Sequence, residues 1–207
     1  MDTSQLAYFL GASILLTIAP GPDNVFVVTQ GITRGRKAAV LTAIGMCSGI
    51  SVHTTAAALG ISAVFYSSAV AFSMVKFAGA TYLLFLAWKT VRERRDIELR
   101  GNDRQLSGFA LFKRGFIMNV LNPKVALFFV AFLPQFVSPG SGNVALEMAM
   151  LGLVFMVQGM IIFTAIGLLS GAIGSYLLQK PQVSRIFSWL TAGIFATLGI
   201  RLALARN

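Results

Sequence analysis

Three side chains able to hold charge or move a proton sit where an apolar chain would ordinarily carry none. Asp23 lies in Ala19-Pro20-Gly21-Pro22-Asp23-Asn24, flanked by apolar residues 6–19 and 25–28. Lys124 ends Asn119-Val120-Leu121-Asn122-Pro123-Lys124, inside an apolar stretch that continues to Phe132. His53, the one histidine of the chain, lies in a third apolar run. A carboxylate at bilayer depth costs about 3 kcal/mol or more and marks a functional site by default. An acid, an amine and an imidazole together can bind a zwitterion or relay a proton. They do not make a nucleophile, because Ser51 is two residues from His53 and would point to a different face of a helix. One histidine with no carboxylate near it in sequence is no metal site. No glycine-rich phosphate loop is present, so ATP drives nothing directly. The expectation is a protein that is not an enzyme and that uses no metal or cofactor.

The elements that must position these groups follow from the prolines. Pro20, Pro22 and Pro123 have no N–H and cannot continue a preceding helix, and water cannot satisfy the groups they leave open inside a bilayer. Each polar stretch should therefore break one membrane span at mid-depth, a geometry that persists only where it lines a cavity or is buried in protein. A proline kink held by packing is the plainer alternative. Composition fits a membrane setting: 56% of the 207 residues are hydrophobic and 12% are charged, against about 25% charged in soluble domains. Six apolar segments, at about 6–31, 38–60, 69–91, 113–137, 146–177 and 184–205, reach spanning length, near 20 residues. A five-span count would merge the apolar connection around 60–70. The fifth segment exceeds what a bilayer needs and should tilt, break near Gly171 and Gly174, or extend into water.

The net charge of +10 sits between the spans, as Arg34, Arg36 and Lys37, then Lys89 to Arg114, then Lys180 and Arg185. That is a positive-inside pattern and not a nucleic-acid face. It puts loops 32–37, 92–112 and 178–183 in the cytoplasm and both termini outside, with Arg201 and Arg206 as exceptions. No basic n-region precedes the first span, which is expected to stay uncleaved. Lys76 should snorkel to the external headgroups or face a cavity. Trp88 with Lys89 and Arg92 is an interface anchor. Gly45-x-x-x-Gly49 is a helix-packing signal, and the single Cys47 is a packing residue.

Superposing Pro22 on Pro123 aligns Asp23 with Lys124, and each half then continues with two more spans. A three-span unit used twice must invert. The expected fold is an all-α integral membrane protein of two inverted three-helix repeats, 1–91 and 113–207, joined by a cytoplasmic basic linker at 92–112. Paired interruptions in the two halves are the sequence pointer to a transporter's binding site. The candidate substrate or ion site is Pro20, Gly21, Pro22, Asp23, Asn24, Asn119, Asn122, Pro123 and Lys124, with His53 and Gln158 beside it. Gln158 either faces the site or makes a helix-helix hydrogen bond; His53 serves a proton relay or a structural hydrogen bond. At about 1.5 Å per residue, Asp23 and Lys124 lie about 12 and about 16 Å from the cytoplasmic end, so the two charges should meet near mid-depth. They should alternate between pairing with each other and pairing with substrate or proton, one serving a substrate's ammonium and the other its carboxylate.

Several stretches in order carry a resemblance: the Ala-Pro-Gly-Pro-Asp-Asn stretch, Gly31-Ile32-Thr33-Arg34-Gly35, Phe77-Ala78-Gly79-Ala80-Thr81-Tyr82-Leu83, Asn119-x-x-Asn122-Pro123-Lys124, and Pro134-Gln135-Phe136. Over essentially the full length the chain resembles the lysine exporter family, especially its homoserine/threonine resistance branch. The resemblance implies export of amino acids or related small metabolites across the bacterial cytoplasmic membrane, driven by the proton gradient. The partners it implies are the substrate, the proton and the lipid bilayer, with a homo-oligomer compatible and no nucleic acid. The wider superfamily includes cadmium exporters and thiol-disulfide carriers, which one cysteine and one histidine do not suit. A non-transporting membrane subunit or assembly factor, whose breaks only pack helices, is the competing expectation. Neutralising Arg92, Arg94 and Arg95 together with Arg34, Arg36 and Lys37 should scramble the orientation in a cysteine-labelling map; an unchanged map would show that these charges do not set it.

Overall fold

The computed structural model describes residues 3–19, 21–61, 69–92, 106–137, 143–172 and 181–204. Every element among them is helical. Helix α1 (Thr3–Ile18) and α2 (Pro22–Arg34) meet at 56°. The prolines dictate the join: Pro22 opens α2, where its missing N–H costs nothing and its φ is already helical. Gly35, with φ 87°, reverses the chain into α3 (Arg36–Ala56), a conformation only glycine adopts without strain. A π-helical turn, Ala57–Ile61, extends α3. Helix α4 covers Ala69–Arg92. The second bent pair is α5 (Gly108–Val120) and α6 (Pro123–Leu127), the latter running into a π-helical turn, Phe128–Phe132, and a 3₁₀ turn, Leu133–Phe136; its bend is 48°. Helices α7 (Val144–Leu168) and α8 (Pro181–Leu204) complete the described chain.

The helices track the six apolar segments, with two shifts. Helix α5 begins at Gly108, inside the stretch expected to be linker, because the Ser107 side chain accepts from the Ala110 N–H at 3.2 Å and caps it. Helix α7 ends at Leu168, ahead of Gly171, with one further helical turn reaching 172. Gly174 and the loops at 62–68, 93–105, 138–142 and 173–180 lie outside the described residues. Two described helices, Arg36–Gly60 and Val144–Leu168, are long and apolar enough to cross a bilayer, and each bent pair adds a candidate, giving up to four.

Packing centres on α3, which runs along α5 and α7. Close approach is built from glycines. A Cβ on Gly45 would overlap the main chain of Phe112, and one on Gly115 the main-chain carbonyl of Thr42, so α3 and α5 touch backbone to backbone. On the other flank a Cβ on Gly152 would strike Thr54, and one on Gly167 would come within 3.0 Å of Ala39. Phenylalanines fill the middle. Phe9 of α1 meets Phe136 edge-on at 5.3 Å, and Phe128 of the second broken helix lies 5.1 Å from Phe155 of α7. Helices α4 and α8 pair with each other. Their outer faces expose Met74, Phe77, Trp88, Trp189 and Leu190, suited to lipid. Trp88 stacks under Arg92 at 4.9 Å. Lys76 is buried, its ammonium 4.9 Å from the Phe77 ring, and it is not among the residues lining the central cavity.

Gly45→Ala and Gly115→Ala should each lower the melting temperature in detergent by several degrees, because overpacking a close contact costs about 1–3 kcal/mol. Gly193→Ala, where an added Cβ meets nothing within 4 Å, should leave it level or slightly raised. Equal losses in all three would remove the backbone-contact explanation.

Candidate functional site

The last turn of α1 leaves four carbonyls, those of Leu16, Thr17, Ile18 and Ala19, without a helical continuation. Prolines at 20 and 22 lack the N–H that would have bonded the first and third of these. Two side chains supply the donors instead. Asn24 Nδ2 lies 3.1, 3.0 and 3.2 Å from the oxygens of Thr17, Ile18 and Ala19. Lys124 Nζ, from the second bent pair, donates to Leu16 O at 3.2 Å and Ala19 O at 3.3 Å. A cation on the C-terminal carbonyls of a helix also meets the negative end of its dipole.

Asn122 ties the two breaks together. Its Oδ1 accepts from the Lys124 N–H at 2.9 Å, capping α6, and its Nδ2 donates to Asp23 Oδ2. One amide thus closes the second half-helix and holds the carboxylate of the first. Asp23 is 1% exposed and Lys124 6%. Both line one cavity with Leu16, Thr17, Ile50, Asn119, Val125, Phe155 and Phe163. Its free space is about 10 Å³, enough for about one water, so the site is closed. The two charges share the cavity without an ion-pair contact, so the mutual pairing is not the arrangement present here: Asn122 engages the carboxylate while main-chain carbonyls engage the ammonium.

The other expected residues fall around this centre. Gly21 leaves room for the lysine: a Cβ there would sit 3.2 Å from Nζ. Pro22 and Pro123 head their half-helices. Pro20 lies outside the described residues. Asn119 lines the cavity, and Gly49 of α3 accommodates it, since a Cβ there would be 2.9 Å from Asn119 Oδ1. His53 Nε2 lies 3.1 Å from the Asn119 main-chain oxygen; a carbonyl only accepts, so Nε2 carries the proton in that bond. Ser51 bonds Ser48 O and takes no part. Gln158 makes the helix-helix bond, donating to Thr17 Oγ1 at 3.0 Å, and is not among the cavity's lining residues.

Leu16, Thr17, Ile50, Val125, Phe155 and Phe163 line the cavity and were not among the expected site residues. Leu16 was accessible to reasoning, since its carbonyl is the one that Pro20 leaves without a donor. Phe155 and Phe163 share a helical face with Gln158 and Gly159, at i, i+3, i+4 and i+8.

The model of the LysE type translocator family matches residues 14–206. Among curated proteins the chain is similar to the homoserine/homoserine lactone efflux protein of Salmonella typhimurium, 30% identical over 201 residues, covering 97% of this chain and 96% of that one. It is similar to the leucine efflux protein of Enterobacter sp., 29% identical, covering 95% and 93%. An uncharacterized membrane protein of Vibrio cholerae is 29% identical over 97% of both chains. No solved structure gives a significant match. The chain belongs to the LysE type translocator family of membrane proteins.

Proposed function

We propose that this protein is a secondary exporter of neutral amino acids or metabolites of similar size, set in the bacterial cytoplasmic membrane and exchanging substrate for protons. The observation that carries this is the convergence of two helix breaks, far apart in sequence, on one buried cavity that holds a carboxylate and an ammonium. A zwitterion matches that pair. Most of the remaining wall, Leu16, Ile50, Val125, Phe155 and Phe163, is apolar, with Thr17 and Asn119 as neutral polar groups and no further charged side chain. The relatives named for efflux of leucine and of homoserine point the same way, while homoserine lactone, also in one of those names, shares the ammonium but has no free carboxylate.

The contacts between helices support the inverted repeat. Exchanging the halves maps α3 against α5 onto α7 against α1, and maps both α3 with α7 and α4 with α8 onto themselves; each of these contacts is present. In this scheme the six helical units each cross the membrane, and tilting one half on the other opens the cavity to alternate sides. Asp23 is the group we assign to the coupling proton. With the cavity open to the outside and substrate gone, the carboxylate takes up a proton there; with the cavity open to the cytoplasm, the arriving substrate displaces that proton, which is released inside.

Counterflow of labelled leucine and homoserine in proteoliposomes tests the transport reading; folded protein that moves neither, nor any other neutral amino acid, would favour the subunit role. Asp23→Asn should lose proton-driven transport by about tenfold or more, the scale of one charged hydrogen bond; an unchanged dependence on the imposed pH gradient would move coupling to another residue. Pro22→Ala and Pro123→Ala restore an N–H at each break and should lower transport while membrane abundance stays near normal. Full activity in both would make the breaks packing features only.

A further inference from the structure

Hydrogen-bond accounting around the breaks is one-sided. Among the described residues, the buried side-chain polar atoms without a partner are Asp23 Oδ1, Asn24 Oδ1, Asn119 Oδ1 and Gln158 Oε1. All four are acceptors. Two of them, on Asp23 and Asn119, belong to side chains 1% exposed that line the cavity with Lys124. Buried acceptors left unmatched call for a donor, and an anion would bring more acceptors to a place that lacks none. Beside them Lys124 Nζ uses the carbonyls of Leu16 and Ala19, so the one ligand already seated at this end of α1 is an ammonium.

We propose that the end of α1, with Asp23 and Asn119, is a primary-ammonium site that Lys124 fills with its own side chain in the closed state. An incoming substrate presents the same group, –NH₃⁺ with three donors, and competes with Lys124 for the Leu16 and Ala19 carbonyls while engaging Asp23 Oδ1 and Asn119 Oδ1. Lys124, released, turns to the rest of the substrate. Recognition then rests on the ammonium, and a free carboxylate is an optional feature. The substrate class becomes primary ammonium compounds of amino-acid size, including esters and amides that lack a carboxylate. Other charged or titratable groups near the site are His53, held on the Asn119 carbonyl, and Cys47, buried in α3; neither supplies an acceptor to this end of α1.

This deepens the export reading, and its test has one arm that does not depend on transport. In purified Lys124→Ala protein the site has lost its internal occupant, so n-butylammonium should raise the melting temperature by a few degrees, and by clearly more than in wild type, where it must first displace Lys124. Tetramethylammonium, with charge and no donors, and butanol, with no charge, should do nothing. A Lys124→Ala protein that responds no more than wild type, or responds equally to tetramethylammonium, overturns the proposal. If Lys124→Ala does not fold, wild-type protein decides: leucine methyl ester and leucinamide should compete with bound or transported leucine within about tenfold of leucine itself, and 2-hydroxy-4-methylpentanoate should be weaker by a hundredfold or more, the scale of two charged hydrogen bonds. The reverse order, with the hydroxy acid competing and the ester failing, overturns it. Wild type that binds these amines without moving them would retain the site and retire the exporter.

Discussion

Four main-chain carbonyls at the end of α1 are the constraint around which the rest is arranged. In water they would need no provision. In an apolar interior each unmet group costs several kcal/mol, so the chain must bring donors to them. Asn24 does so from the next helix and Lys124 from the other half of the sequence. The lysine must therefore lie beside α1, and Asn122, fixed two residues earlier as the cap of α6, is carried to Asp23. Close packing of α3 on α5 through Gly45 and Gly115 makes that approach sterically available.

The phenylalanine cluster carries the complementary task. Phe9, Phe128, Phe136 and Phe155 come from α1, the second broken helix and α7 and pack on one another, and Phe155 carries the cluster to the cavity wall with side chains that offer no competing hydrogen bonds. Dispersion contacts hold these helices together where lipid supplies little hydrophobic drive. The polar contacts are thereby confined to the breaks.

Much of this was legible in the residues. Prolines without N–H groups announce both breaks, and a carboxylate and an amine at matching places announce a shared site. Gly45-x-x-x-Gly49 foretold a close helix contact. What sequence spacing did not reveal is the partner of each group. Asp23 and Lys124 looked like an ion pair because charge is read from residue type, whereas the donors and acceptors that intercept them, Asn122 and the Leu16 and Ala19 carbonyls, depend on three-dimensional register. Main-chain carbonyls are present at every position, and only the proline four residues on marks Leu16 as different. Lys76 was read from its place near a helix end, and its burial depends on how α4 packs.

The lysine that completes α1 has a consequence for biogenesis. Residues 16 and 124 are separated by 108 positions, and a chain enters the membrane from its N-terminus as it is made. For the interval between emergence of α1 and emergence of Lys124, the first helix is inserted with part of its C-terminal end unmatched. Asn24, available almost at once, brings two N–H donors to be shared among the carbonyls of Thr17, Ile18 and Ala19, and Leu16 O must wait. The first half is thus born incomplete, in need of a water-lined vestibule of the insertion machinery or of a shallower depth, until the second half arrives. Cutting the gene between the halves would leave each fragment lacking a hydrogen-bond partner that only the other encodes.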